Sequence, residues 1–284
     1  MDPSGDAKGD PGIEYHPMDL NTAGGLEMLE LTTDCGTAAR LRHAIDAAEQ
    51  VDGSADFDRF VARLRERFPW RFQLHPDVLR RDYLGIVKQH LQNLIPRMQP
   101  YMDSGIRRVL DFGCGSGGSS IALALAYPEV RCFGTDIDAA EIEVAKERAA
   151  LYGVADRCEF FHVDINQELP FAQGSFDLSL CSSVLEYAVQ KDARMFCVQQ
   201  MVRAVSKRGL LFFSVPNRIY PFEIHTGKWG WNYFPRWLGA RTVDCGFWEV
   251  QRLARPEKLR LYRCALLRLL TPWTSFCLRK GLAD

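Results

Sequence analysis

The chain holds 284 residues, 47% of them apolar and 25% charged, with a formal net charge of −1. That length is near the ceiling for one hydrophobic core, so one main domain with an appendage is expected. The near-neutral charge gives no general attraction to nucleic acid or to a membrane surface. No apolar run approaches the ~18 residues a membrane-spanning helix needs, and the opening Met1-Asp2-Pro3-Ser4-Gly5-Asp6 is too acidic and polar to be expected as a secretory signal. The nine cysteines are odd in number and scattered, with no C-x-x-C pair. This fits reduced, buried thiols and a cytoplasmic location better than a disulfide framework.

Residues 1–33, rich in Gly, Pro and Asp, read as a flexible acidic tail. Residues 34–104 read as an N-terminal helical lid. Within it a helix is expected over 36–50, with Leu41, Ala44, Ile45 and Ala48 as its stripe, and another over 55–68, carrying Phe57, Phe60, Val61, Leu64 and Phe68. Asp56 is placed to cap the second helix and Pro69 to end it. A longer helix is expected from Asp77 to Gln99, with Tyr83, Ile86, Val87, His90, Leu91 and Leu94 on one face. Residues 105–284 form the main domain. Strands at 107–112, 130–135, 158–163, 176–181 and 209–215 alternate with helices at 117–126, 139–152 and 191–206, a pattern that predicts a parallel α/β sheet. An aromatic-rich loop at 216–245 follows. A strand at Phe247–Leu253, a helix at Pro256–Leu270 and a last strand at Trp273–Arg279 are expected to close the domain.

The chemistry begins at Asp111-Phe112-Gly113-Cys114-Gly115-Ser116-Gly117-Gly118, where a buried strand runs into a glycine turn and then a helix. Glycines at 113, 115 and 117 let the backbone turn tightly and approach a ligand. The helix start offers unpaired N–H groups to whatever sits in the turn. The letters also satisfy G-x-G-x-x-G, a weak dinucleotide signal when it stands alone. Asp111 sharpens it, because a pyrophosphate disfavours a carboxylate there and an ammonium favours one. The stretch resembles motif I, D-x-G-x-G-x-G, of the class I S-adenosylmethionine-dependent methyltransferases, small-molecule type. That resemblance implies a seven-stranded Rossmann-like α/β sheet with helices on both faces, S-adenosylmethionine as cofactor and S-adenosylhomocysteine as product.

Asp136 ends the second strand, on the rim where open α/β sheets bind ligands. An acid there accepts hydrogen bonds from ribose hydroxyls, which suits a nicotinamide cofactor equally well. Asp164 ends the third strand. The run Leu169-Pro170-Phe171-Ala172-Gln173-Gly174-Ser175-Phe176-Asp177 that follows resembles the methyltransferase segment in which such an acid takes the adenine amine and the next N–H a ring nitrogen. Three acids on three strand ends suit an ammonium, a ribose and an adenine amine, and suit a diphosphate poorly. The resemblance thus assigns cofactor contacts to Asp111, Gly113, Cys114, Gly115, Gly117, Asp136, Ile137, Asp164, Ile165 and Ser182. Asp138 and Asp177 read better as a helix cap and a strand-start residue.

Ser182 to Tyr187 follow the fourth strand without the Asn/Asp-Pro-Pro-Tyr/Phe signature of nucleic acid amine methylation, which disfavours a DNA or RNA base. The segment from Pro216 to Trp231 resembles a Pro-Asn-Arg…Glu-x-His-Thr-Gly loop of methyltransferases that act on small metabolites and glycans. Loops with this His, Glu and aromatic content usually carry function. His225 is the expected base, with Glu223 orienting it or acting itself; Tyr187, Asn217, Trp229 and Trp231 are the expected substrate contacts. No metal site is readable. The basic segment around Arg260, Arg263 and Arg268 reads as an amphipathic helix on the sheet or as a surface for an anionic partner or membrane. The expected function is methyl transfer from S-adenosylmethionine to a small metabolite at a hydroxyl, with a homodimer left open. Alternatives are N-methylation of a small amine, a nicotinamide-dependent oxidoreductase, and a non-catalytic cofactor-binding protein.

Overall fold

A computed structural model describes residues 35–74, 76–102, 105–164, 166–188, 190–217, 219–223, 228–230, 245–264 and 273–281. The expected acidic tail, Ile165, His225, Trp231 and Arg268 lie outside these residues. The segment expected as a lid begins with α1 (Cys35–Asp52) and α2 (Ala55–Arg67). Ser54 caps α2: its backbone is extended and its hydroxyl accepts the Phe57 N–H at 3.1 Å. Asp56, expected as the cap, lies inside the first turn and pairs with Arg59 instead.

The single helix expected over 77–99 is broken into α3 (Pro76–Leu79), a π turn (Arg80–Leu84), α4 (Ile86–Asn93) and α5 (Ile95–Met102). Gly85 makes the first break, its N–H reaching back five residues to the Arg80 carbonyl at 2.6 Å. Pro96, lacking an N–H, cannot continue the ladder of α4. The apolar face expected for this segment still points inward, with Tyr83, Val87, Leu91 and Leu94 buried.

The main sheet is formed by β1 (Arg108–Phe112), β2 (Arg131–Asp136), β3 (Cys158–His162), β4 (Phe176–Ser182), β5 (Val205–Pro216), β8 (Arg260–Cys264) and β9 (Trp273–Arg279). Helices α6 (Gly118–Ala126), α7 (Ala139–Leu151) and α8 (Lys191–Ala204) connect the parallel strands, and β6 (Phe222–Glu223) and β7 (Lys228–Trp229) make a separate two-stranded ribbon. The strand order β3-β2-β1-β4-β5-β9-β8 reverses between β1 and β4, which opens a crevice at their carboxyl ends. Only β9 runs against its neighbours, pairing antiparallel with both β5 and β8. Alternate residues serve two cores. Val109, Leu178, Leu180, Leu210 and Phe212 face α6, α7 and the lid. Leu110, Cys181, Leu211 and Phe213 face α8 and a last helix, α9 (Phe247–Ala254).

The C-terminal part corrects two expectations. Residues 247–253, expected as a strand, form α9, because Val250, Leu253 and Ala254 recur at helical spacing and are the buried ones. The helix expected from Pro256 is a turn, with Lys258 in the left-handed region, and then the edge strand β8. Pairing with β9 satisfies one side of the β8 backbone, and the Arg279 guanidinium lies 3.7 Å over the Tyr262 ring. No helix among the described residues is long and apolar enough to cross a membrane.

The lid docks on the sheet helices through close contact. A Cβ on Gly118, at the start of α6, would stand 2.6 Å from Ile86 and 2.9 Å from His90 of α4. Arg148 of α7 is fully buried and donates to the Leu84 carbonyl at 3.2 Å, and Arg71 pairs with Glu141 of α7. If lid and sheet unfold as one unit, Leu91→Ala, at a fully buried α4 position, will lower stability by about 2–5 kcal/mol. Guanidinium unfolding should show this as one shifted transition, and two separate transitions would refute it.

Candidate active site

The site is built at the end of β1. Asp111 is 1% exposed, and its Oδ2 accepts the Ser119 hydroxyl at 2.5 Å and the Ser120 hydroxyl at 2.6 Å. Burial pushes its carboxyl up from 3.8 to about 6, against the lowering effect of both hydroxyls, and the Asp136 charge adds to the rise. No cation among the described residues is paired with it. A buried carboxylate held by two hydroxyls and the Ser120 backbone N–H, none of which carries a charge, suits an incoming ammonium.

The glycine loop is tied to β2, since the Gly113 and Cys114 N–H groups both donate to the Thr135 carbonyl, at 2.8 and 3.0 Å. Gly113 has φ +75°, and a Cβ there would stand 2.3 Å from Val184, so the turn after β4 closes directly on the loop. Gly115 has φ +50° and would meet nothing within 4 Å, which leaves the loop open on that side for a ligand. The Cys114 thiol faces inward, against Gly134, and burial pushes it well above its usual range; its part in the site is played by backbone alone.

Asp136, half-buried at the end of β2, accepts the Gly115 N–H at 2.8 Å and the Asp138 N–H at 3.0 Å. Asp138 caps α7 through Ala140 and Glu141, and Asp177 takes the Arg107 and Arg108 N–H groups at the start of β1, each at 2.9 Å. Beside Asp136 the Ile137 side chain is 59% exposed, and its carbonyl lies 3.1 Å from His162 Nε2 at the end of β3. Asp164 is exposed two residues further on, its Oδ1 accepting the Asn166 N–H at 2.9 Å. A buried acid, a half-buried acid with an exposed aliphatic side chain next to it, and an exposed acid thus follow one another along neighbouring strand ends.

Ser182 is the last residue of β4, opposite Ser214 of β5. Ser183 then takes φ +57°, a strained conformation for a residue other than glycine, and donates its N–H to the Ser214 carbonyl at 3.1 Å. Tyr187 and Trp229 are exposed, and Tyr220 lies 6.4 Å from the Trp229 ring. Asn217 is buried, and its Oδ1 accepts the Ile219 N–H at 3.0 Å as the chain turns off β5. Glu223 contributes backbone to β6, opposite Lys228.

Sequence reasoning missed Ser119 and Ser120, the partners of Asp111; their signal was two hydroxyls in the first turn after the glycines. It also missed a cavity of about 220 Å³ lined by Pro216, Asn217, Ile219, Phe247, Trp248 and Thr274 among others. The letters do not show that cavity because residues 247–253 read as a strand, whereas part of its lining comes from the first turn of α9.

Residues 109–209 match the family described as the methyltransferase domain. The chain carries a class I S-adenosylmethionine-dependent methyltransferase domain. The match decides against the nicotinamide-dependent reading that Asp136 alone left open. The domain is similar to malonyl-[acyl-carrier protein] O-methyltransferase of Legionella pneumophila, 30% identical over 146 residues, covering 50% of this chain and 47% of that protein. It is also similar to ajmaline N-methyltransferase of Rauvolfia serpentina, 30% identical over 113 residues, covering 39% and 37%. The chain therefore matches less than half the length of either relative. Among solved structures, the PH0226 protein of Pyrococcus horikoshii shares the fold with a TM-score of 0.51 at 16% identity, over 70% of this chain and 93% of that one.

The methyltransferase domain should show a pH signature of Asp111. Its folded carboxyl titrates near 6 against 3.8 when free, so the native state holds the proton to higher pH. Stability from this group is therefore lost as pH rises from about 4 to about 6, and above that a bare buried charge is left for an ammonium to neutralise. Stabilisation by S-adenosylhomocysteine, read as the rise in Tm, should be larger at pH 7.5 than at pH 5. 5′-Methylthioadenosine, which lacks the amino acid, should show no such rise, and equal pH behaviour of the two ligands would refute the ammonium contact.

Proposed function

We propose that this domain transfers the methyl group of S-adenosylmethionine to a hydroxyl of a small metabolite by in-line displacement. The observation that carries the reading is the buried Asp111 carboxylate beneath a glycine loop that is open at Gly115. When bound, S-adenosylmethionine supplies an electrophilic methyl on a sulfonium. Asp111 holds the ammonium of its amino acid and Asp136 the ribose hydroxyls. Ile137 covers the adenine ring with exposed apolar surface, and Asp164 with the Ile165 N–H reads its polar edge. The turn at Ser182 and Ser183 separates this half of the site from the acceptor side of the rim, to which Tyr187, Asn217 and Trp229 are assigned, with Trp231 outside the described residues.

Displacement at a sulfonium needs alignment above all, with reacting atoms about 3–3.5 Å apart. A hydroxyl acceptor gains further from a base, and His225, oriented by Glu223, is assigned that part. N-methylation of a small amine is the second reading, favoured by the similarity to ajmaline N-methyltransferase. An amine needs only a neutral lone pair, so the two readings differ in what they ask of His225.

The test uses S-adenosylmethionine labelled in its methyl group and pools of small hydroxylated and amine metabolites. Label should enter the hydroxylated pool, and His225→Ala should lower kcat by ~10²–10⁴-fold with S-adenosylhomocysteine affinity unchanged. Label entering only amines, with His225→Ala nearly neutral, would replace O- by N-methylation. Absence of transfer by a protein that binds S-adenosylhomocysteine would leave a binding protein. In the same titrations Asp136→Ala should weaken S-adenosylhomocysteine by at least about tenfold, since hydrogen bonds to a charged group contribute roughly 1.5–3 kcal/mol each.

A further inference from the structure

The cavity at the carboxyl end of β5 belongs to none of the cofactor contacts. We propose that it seats the methyl acceptor, and that the acceptor is a planar aromatic molecule of one or two rings bearing a hydroxyl or amine. This rests on the methyltransferase reading above.

Its position is right for an acceptor. The Ser183 N–H bonds the Ser214 carbonyl at 3.1 Å, and the same turn closes on Gly113 through Val184. Pro216, which lines the cavity, is two residues beyond Ser214, roughly 7 Å along the strand. Cofactor loop and cavity are thus joined through one short stretch of rim.

Its size and walls select the class of molecule. The volume is about 220 Å³, where an apolar cavity of about 150 Å³ holds benzene, so one or two fused rings fit. Phe247 and Trp248 meet edge to face, with ring centroids 4.9 Å apart and planes at 74°. Phe276 fixes Phe247 from behind in a second edge contact at 4.8 Å. Two ring planes near a right angle make a corner in which a flat ring stacks on one and presents its edge to the other. Trp248 is 66% and Ile219 52% exposed, so apolar surface stands in water at the cavity wall. Among the described residues Glu249 is the one carboxylate in the lining, and Arg252 stands 4.0 Å from it at the limit of an ion pair. The carboxylate therefore keeps capacity for a proton donor on the ligand and repels an anionic one.

Titration calorimetry on the full chain with saturating S-adenosylhomocysteine tests this with three probes: tryptamine, indole and 2-cyclohexylethylamine. Tryptamine should bind most tightly, indole more weakly, and the non-planar amine most weakly. Trp248→Ala, at an exposed position, should weaken tryptamine about tenfold, as expected for losing one aromatic wall of a filled site. Glu249→Gln should bring tryptamine down to the affinity of indole, and both variants should bind S-adenosylhomocysteine as the wild type does. Unchanged tryptamine binding in both variants, or no binding of either planar probe to a protein that binds S-adenosylhomocysteine, overturns the acceptor assignment and leaves the methyltransferase reading standing. A wild type that fails to bind S-adenosylhomocysteine itself strikes that reading, and the acceptor assignment falls with it.

Discussion

A carboxylate taken out of water at the tip of β1 sets the terms for everything around it. Asp111 is desolvated on all sides, and its two hydroxyl partners come from the first turn of α6. A hydroxyl donates one hydrogen bond and brings no charge, so the pair steadies the carboxylate without neutralising it. The strand end, the glycine loop and the helix start must therefore hold one geometry together. The loop achieves this by giving two of its N–H groups to a single β2 carbonyl and by admitting Val184 where any side chain on Gly113 would collide.

Keeping that carboxylate dry is the work of the lid. α4 lies against the start of α6 so closely that Gly118 has no room for a Cβ, which keeps solvent off the turn that carries Ser119 and Ser120. The lid is held in turn by α7. Arg148 is buried at a cost, since desolvation lowers its pKa, and it recovers part of that cost by bonding the Leu84 carbonyl and lying over the rings of Phe60 and Tyr83. Because α7 starts at the Asp138 cap, immediately after Asp136 and Ile137, the helix packed against the N-terminal helices also fixes this part of the rim.

How much of this could be read from the letters depends on where the physical constraint lies. β1, β4 and β5 were legible because strands buried on both faces carry apolar runs closed by Gly, Pro or a turn, and the edge strand β3 because its buried residues alternate with exposed ones. The rim acids were legible for the same reason, since each sits where such a run stops. Phe247-Trp248-Glu249-Val250-Gln251-Arg252-Leu253 was misread because a short apolar segment carries both periods, and only packing under β5 and β9 chose the helix. β8 was misread because its arginines and leucines also fit a helical stripe, and pairing with β9, a tertiary contact, overrode that pattern. The break at Gly85 was visible as a glycine, but nothing local said it would produce a π turn.

The difference in legibility between the two halves of the site follows from the topology. Every proposed cofactor contact lies at or just beyond the end of its own parallel strand, so its place is fixed by local sequence. The acceptor half is assembled differently. β9 enters the sheet against the direction of β5, and Pro216 at the end of β5 pairs with Trp273 at the start of β9. A parallel strand there would have begun at the opposite edge. The antiparallel one makes the chain leave the rim and return to the same point of it, so residues far apart in sequence, Pro216 and Asn217 on one side and Thr274 on the other, share one cavity with the first turn of α9. Changing the exposed lining side chains Ile219 and Trp248 would leave the sheet register and the Asp111 site in place while remaking the walls of that cavity. On the proposed assignment, then, acceptor choice can diverge without disturbing the Asp111 site.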